Sequence, residues 1–510
     1  MGQLLPSYKK AVIDEIVNSI TSNSSQYYVF AANPVPHTGN TTNVTTDDYF
    51  ALFSNDWKLL FGKKLGNTDI VPIALNNQWK SNTVYQRYDN TVANLSNYFV
   101  VTPPSSPGGS YDIYKCIDNN DNSPSVDQPD QTQQESFIKG DGYTWRYISS
   151  VSASDYLKFA TDQYIPIYPN SAVVIGALNY SGVEAVEITN AGNYNSYNDG
   201  IVRGFVNSTV IQIESSADNR DDFYTNNSIY LYNTDRTDAQ LRVITHSVGA
   251  SNTYRYVYID QPVDTSTFLT PGSTQYHIAP QIHFDTDAVV PPMAYSTVNS
   301  TTNSISQVII IEPGYGVSWA NVSIISNTAY GSGGTAYAIV PPPGGHGYDP
   351  VSELQVQGFA VGFNFSNNES LTIPTEVQYN QIGIIKNPYH LQNNDTKGAP
   401  FSNNTFSQVL NAAVFPDTVF TVGDTVRGQQ SNALGIVAFS NSTLVYLVGD
   451  KSFQNEEVIT SSSGLQSATI TINTLGHLYT KDIKPLYIQN INNVSRSNTQ
   501  SESFKLVVQV

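Results

Sequence analysis

At 510 residues, with 40% hydrophobic and 12% aromatic side chains, the chain exceeds the size at which one core stops growing and carries apolar material for two or three domains. Its 24 Lys and Arg against 42 Asp and Glu leave a net charge of −18, which excludes the clustered cationic surface that nucleic acid or an anionic membrane needs. No apolar run is long enough to span a bilayer, and the single cysteine, Cys116, excludes an internal disulfide.

Charged residues make up 13%, about half the usual share. Asn, Ser and Thr fill the surface instead; their short side chains bond the local backbone and favour turns over helix interiors. The 34 Tyr suit a pleated, half-buried surface and wet interfaces. Together these predict a mainly β, multi-domain protein. The start, Met1-Gly2-Gln3-Leu4-Leu5-Pro6-Ser7, lacks the charged head and apolar run of a signal peptide, so synthesis in a reducing cytoplasm is expected. Cys116, within Tyr114-Lys115-Cys116-Ile117, reads as a small buried hydrophobe.

In chain order, the first element is a helix after Ser7, with Ala11, Val12, Ile16, Val17 and Ile20 at helical spacing. A strand, Tyr27–Ala31, follows. A second helix is predicted after Thr46: Asp47 and Asp48 favour its first turn, Phe50, Phe53, Trp57 and Leu60 form its apolar face, and Gly62 is its stop. Residues 70–170 read as short strands with polar connections, and the non-strand parts of Ser105–Gln134 as surface loops. Alternating strands then run to about residue 380, among them Val183–Ile188, Val210–Ile213, Ile229–Tyr232 and Tyr254–Ile259.

Two internal echoes stand out. Val186-Glu187-Ile188-Thr189-Asn190-Ala191-Gly192-Asn193-Tyr194 and Ile309-Ile310-Ile311-Glu312-Pro313-Gly314-Tyr315-Gly316 are each an apolar strand running into a turn with Gly and Tyr. Phe420-Thr421-Val422-Gly423-Asp424-Thr425-Val426 matches Phe453-Gln454-Asn455-Glu456-Glu457-Val458-Ile459 more tightly, each followed by a turn and a strand, Ala433–Val437 and Ser467–Ile472. Two such units pair naturally into one small barrel or sandwich, placed at 416–475.

Catalytic patterns are missing. None of the histidines (37, 246, 277, 283, 346, 390 and 477) has the helical spacing with Glu of a zinc protease. His277 and His283, flanking Ile278-Ala279-Pro280, read as ordinary histidines rather than metal ligands. No Gly-x-Ser-x-Gly elbow precedes a helix. Gly331-Ser332-Gly333-Gly334 and Gly344-Gly345-His346-Gly347 open no helix and are predicted to be turns. Asp118, Asp121, Asp127 and Asp130 lack calcium-loop spacing and read as a solvated acidic loop. No catalytic residue, cofactor or metal is expected; a carboxylate pair for glycoside hydrolysis could be assembled only in three dimensions.

One cluster is more specific than composition. In Gly140-Asp141-Gly142-Tyr143-Thr144-Trp145-Arg146-Tyr147, Asp141-Gly142 supplies a turn and Tyr143, Trp145 and Tyr147 alternate onto one face of the next strand. This resembles the Gly-Asp-Gly-Tyr-x-Trp-x-Tyr motif of the gene-eight baseplate wedge proteins of T-even phages. Ile113-Tyr114-Lys115-Cys116-Ile117-Asp118 is similar to the family's upstream strand, and Thr161-Asp162-Gln163-Tyr164-Ile165-Pro166-Ile167-Tyr168-Pro169 to its Asn-Glu-Tyr-Ile segment. Ile384-Ile385-Lys386-Asn387-Pro388 is similar to its late Ile-Ile-Thr-Asn-Pro segment, and Tyr479, Pro485, Arg496, Gln500 and Glu502 resemble its ending in rough spacing.

The resemblance covers residues 1–170, 380–415 and 476–510 and implies one wedge-protein core β-sandwich with two N-terminal helices. Residues 171–379, an enlarged β region, and 416–475 depart from the family pattern. The resemblance further implies a non-enzymatic structural protein of the virion's tail baseplate, made in the host cytoplasm, homodimeric, and joined to other baseplate wedge proteins, with no nucleic-acid or membrane partner. Two rival readings are a receptor-binding or tail-fibre adhesin and a polysaccharide depolymerase. A fibre calls for trimer-forming repeats or a coiled-coil heptad, which this sequence lacks.

Overall fold

The computed structural model describes residues 6–22, 24–35, 58–92, 95–234, 238–249, 253–264, 272–366, 369, 372–392, 395–449, 451–483 and 485–510. In them the chain is mostly β, in several sheets and one small closed barrel. It divides into two compact units. One holds Met1–Ala74, Leu157–Ala160 and Val356–Val510; the other holds Leu75–Tyr156 and Thr161–Gln355. Residues 1–170 are thus shared between the two.

In the first unit the opening helix, Pro6–Thr21, buries Ile13 and Ile20, and the Ser19 hydroxyl donates to Tyr27 Oη at 2.8 Å. The strand Tyr27–Ala32 is buried along its whole length. It lies in the middle of a five-stranded sheet ordered Thr405–Ser407, Leu59–Lys64, Tyr27–Ala32, Gln378–Lys386, Pro485–Ser495. Tyr28, Phe30, Phe401 and Phe406 fill its core, with Tyr28 edge-on to both Phe401 and Phe406.

Here one expectation is corrected. Leu60 and Gly62, predicted as the end of a helix, belong to the strand Leu59–Lys64; the rest of that predicted helix, residues 47–57, lies outside the described residues. Gly62 is needed for packing rather than termination: a Cβ there would overlap the Phe406 ring and the Val29 carbonyl.

The same unit carries the barrel. Its strands are Leu410–Phe415, Thr425–Gly428, Leu434–Ser440, Leu444–Gly449, Val458–Ser461 and Ser467–Thr474. The repeated pattern explains its symmetry. Phe420 and Phe453 both point into the core, as do Val426 and Ile459, and the two repeat strands are neighbours, with Val426 opposite Ser461. The buried Glu457 carboxylate accepts from the Gln430, Ser431 and Gln454 amides and the Ser431 hydroxyl. One repeat's acid therefore shapes the other repeat's turn.

In the second unit a ten-stranded sheet encloses Ile211, Ile229, Leu231, Ile244, Val257, Tyr276 and Ile278. The segments of the looser echo, Ala185–Tyr194 and Ser304–Glu312, lie side by side. They are tied at both ends by Val183 N to Pro313 O at 2.8 Å and Tyr194 N to Asn303 O at 2.6 Å.

A second correction falls here. Gly331-Ser332-Gly333-Gly334, predicted to be a turn, opens the strand Gly331–Ile339, which pairs with Ala185–Tyr194. Gly331 and Gly334 clear room for the Tyr194 ring, whose hydroxyl accepts from Gly334 N at 2.8 Å; a Cβ at Gly334 would overlap that hydroxyl. Gly344-Gly345-His346-Gly347 does form turns, and Gly344, Gly345 and Gly347 have φ of 87°, 90° and 78°.

Candidate functional site

The motif residues come together on a four-stranded sheet of the second unit. Its order is Phe99–Thr102, Tyr111–Asp118, Thr144–Val151, Phe137–Ile138. Two of the segments quoted for the resemblance are partner strands, with Tyr114 opposite Tyr147, Lys115 opposite Arg146 and Cys116 opposite Trp145. Alternation along each strand then gives the sheet two different faces.

One face is aromatic. Trp145, Tyr143, Tyr114 and Cys116 are completely buried and pack with Tyr85, Tyr147, Phe137 and Val173. Tyr143 stacks on Trp145 at 5.5 Å between centroids, and Tyr85 meets Trp145 edge-on at 5.6 Å. Tyr143 Oη donates to Ser123 O at 2.6 Å. The Trp145 indole N–H and the Tyr114 hydroxyl have no partner among the described residues, so these rings contribute packing rather than hydrogen bonds. Burial pushes the Cys116 thiol up, far from a reactive thiolate.

The turn that launches the motif strand is held by a carboxylate. Gly142 has φ 82°, and a side chain there would meet Asn120. Asp141 Oδ2 accepts from Ser125 Oγ, Val126 N and Asp127 N at 2.8–3.0 Å, and Oδ1 from Tyr143 N at 3.1 Å. Burial raises the Asp141 pKa, but these four donors lower it further, so it stays below the usual carboxylate value. Gly140 N donates to Asp127, and Lys139 pairs with Asp127 and Asp130 at 3.2 and 3.1 Å. Asp118 caps Asn120 N at 2.8 Å. The acidic loop thus acts on its own backbone.

The opposite face carries buried charge, which the sequence reading did not single out. Lys115 is 1% exposed and Arg146 4%. Lys115 Nζ lies 2.8 Å from Glu353 Oε1 and 3.4 Å from the centre of the Tyr88 ring. His346 is fully enclosed; its Nδ1 meets the Glu353 carboxylate and its Nε2 lies 2.5 Å from Glu184 Oε1. Glu353 also accepts from Gly347 N at 2.7 Å, and its carbonyl accepts from Tyr98 Oη at 2.7 Å. Burial pushes the Glu353 carboxyl up, but Lys115 and His346 together pull it well below the usual range. Arg146 lies 5.4 Å from the Tyr180 ring centre.

Chemically, this cluster is a cross-link. Lys115, His346 and the two glutamates draw four separate segments together: Glu184, the Tyr111–Asp118 strand, the glycine turn with His346, and the short helix Pro350–Glu353. The signal available in sequence was the single cation, Lys115 or Arg146, set between apolar neighbours in each of two strands.

The remaining predicted positions lie elsewhere. Asn387 and Pro388 belong to the first unit, where Asn387, at φ 48°, accepts from Gln26 N through Oδ1 and donates its own N–H to Gln26 O, both at 2.7 Å. Pro388 O accepts from Phe401 N at 2.8 Å. His277, in the strand Gln275–Thr286, meets Asp199 through Nδ1 and sits 2.8 Å from Ser296 O through Nε2.

No protein-family model and no curated protein matches this chain. Its functional reading rests on the residues and geometry described above.

Proposed function

We propose that the chain is a non-enzymatic structural component of a contractile phage tail baseplate. In this reading it is a homodimeric wedge-type protein that joins neighbouring wedge proteins and is carried in the virion. The observation that carries it is the pairing of Tyr111–Asp118 with Thr144–Val151. The two most specific pieces of the resemblance are one structural unit, an aromatic core on one face and a charge cross-link on the other. What the resemblance covers is the aromatic face and its two strands; Glu184, His346 and Glu353 of the cross-link lie in residues 171–379, outside it.

The chemistry supports the same direction. Lys115, His346 and Glu353 are enclosed and bonded to one another, which suits rigidity rather than turnover. A chain with only 13% charged residues suits broad, charge-poor contacts with other proteins. A mass-spectrometric inventory of purified tails, with gold labelling of the chain in intact virions, tests the proposal. Signal at the baseplate is expected; signal at fibre tips would favour the adhesin reading, and turnover of host polysaccharide the depolymerase reading.

A further inference from the structure

A cleft of about 290 Å³ opens in the first unit where the barrel meets the five-stranded sheet. The barrel contributes a row of three side chains: Asn411 stands opposite Tyr446 on one neighbouring strand and Thr474 on the other. Residues directly opposite across antiparallel strands share a face. Here it is the outer face, because the neighbours Ala412, Val445 and Leu447 fill the barrel core. The half-buried Tyr446 ring is braced by Phe439 at 5.1 Å between centroids. Thr375, Ser407 and His477 line the other side. The buried Arg496 fixes the segment with Thr375, its guanidinium donating to Pro374 O at 3.1 Å and its amide to Val377 O at 2.9 Å. His477 Nδ1 accepts from Ser407 N at 3.3 Å, so the proton of the neutral ring sits on Nε2. Burial, with His390 nearby, lowers the His477 pKa, and the ring is uncharged at neutral pH.

We infer that this cleft binds one or two neutral sugar residues of a glycan. No Lys, Arg, Asp or Glu lines it, so a charged ligand would lose its hydration with nothing to replace it. Burial raises the Tyr446 pKa and the negative charge of Glu376 adds to it, so the hydroxyl stays a donor and an anion is opposed. Neutral polar groups are plentiful instead. Among the described residues no hydrogen bond uses the Tyr446 or Thr375 hydroxyl, the Asn411 side-chain N–H groups or His477 Nε2. Ile373, Val409 and Leu475 add apolar wall between them. A pyranose ring has the matching two-sided character: an apolar C–H face, which suits the Tyr446 ring, and a rim of hydroxyls that each donate and accept. The volume falls just below the roughly 300–1,000 Å³ of small-molecule clefts, which suits one or two rings rather than a long chain. The inference does not depend on the baseplate reading.

The test is saturation-transfer difference NMR on the full chain. The probes are the methyl glycosides of glucose, galactose, mannose and N-acetylglucosamine in the millimolar range, with glucuronic acid and glucosamine as charged counterparts. At least one neutral glycoside is expected to receive saturation, and both charged sugars much less. Tyr446→Ala and Thr375→Ala, from opposite sides of the cleft, should each weaken binding about tenfold. Tyr258→Ala, exposed on the second unit, should leave it unchanged. Tyr446→Phe keeps the ring and removes only the hydroxyl, so it gives a smaller loss in a protein that melts like the wild type. The wild-type result is independent of how any variant folds. Absence of transfer to every neutral glycoside, stronger transfer to either charged sugar, or unchanged binding in Tyr446→Ala would each overturn the inference. The baseplate reading would stand in all three cases, since it is tested by location in the virion.

Discussion

Lys115 and Glu353, 238 residues apart in sequence, meet at 2.8 Å with both side chains 1% exposed. Neither charge has water to fall back on, so each depends on the other. Glu353→Gln should destabilise the second unit by about 3–5 kcal/mol, because it strands a buried ammonium. Lys115→Met combined with Glu353→Leu should recover part of that loss, since it removes the stranded ammonium but leaves His346 Nδ1 and Gly347 N without their acceptor. Urea denaturation of Lys115→Met, Glu353→Leu and their combination gives the coupling. Strict additivity of the single effects would show that the pair does not act as a cross-link.

The aromatic face gives a complementary expectation. Trp145→Ala should cost about 3–5 kcal/mol, from lost burial and the cavity left among Tyr85, Tyr143 and Tyr114. Trp145→Phe should cost much less, because the indole N–H has no partner to lose. Thermal melting followed by near-ultraviolet circular dichroism reads both. Equal losses in the two variants would mean that the ring's hydrogen bonding, not its packing, matters.

Acid should act on the barrel through Glu457. Burial raises its carboxyl pKa, but the Ser431, Gln454 and Gln430 donors win, and the folded value lies below the ordinary 4.5. A depressed folded pKa means that the ionised group stabilises the fold fully above 4.5, and that this contribution is lost as pH falls through the folded value. Melting temperature should therefore drop more steeply below pH 4.5 in the wild type than in Glu457→Gln, which is less stable at neutral pH but flatter in acid. Parallel curves would show that this carboxylate does not contribute to the acid response.

Much of this was legible in the sequence, and the remainder was missed for physical reasons. Strict alternation placed Tyr143, Trp145 and Tyr147 on one face because a strand's period is local. The repeat from Phe420 and Phe453 announced a small closed unit because each half supplies the same core positions. The charge cross-link was invisible because Lys115, Glu184, His346 and Glu353 are brought together only by long-range folding. Gly62 and Gly331–Gly334 were misread for one reason. A glycine that makes room for Phe406 or Tyr194 looks the same in sequence as one that ends a helix or makes a turn.

The barrel should be removable. Its first and last strands pair directly, Ala412 opposite Ile472, so the chain enters and leaves at adjacent points. Just outside, the flanks are already joined. His477 N donates to Ser407 O at 2.9 Å, and the Gln408 side chain bonds both the amide and the carbonyl of Leu478, at 2.6 and 3.0 Å. Replacing residues 410–474 by a short Gly-Ser bridge therefore asks the remainder to close a gap that its own hydrogen bonds already span. The excised protein is expected to be soluble, with the melting of the second unit unchanged, and residues 410–474 alone should fold around Phe420 and Phe453. Size-exclusion chromatography and circular dichroism of both pieces measure this. If every deletion aggregates although the bridge length is varied, the barrel's outer surface is part of the first unit's core, and the six strands are not a separable module.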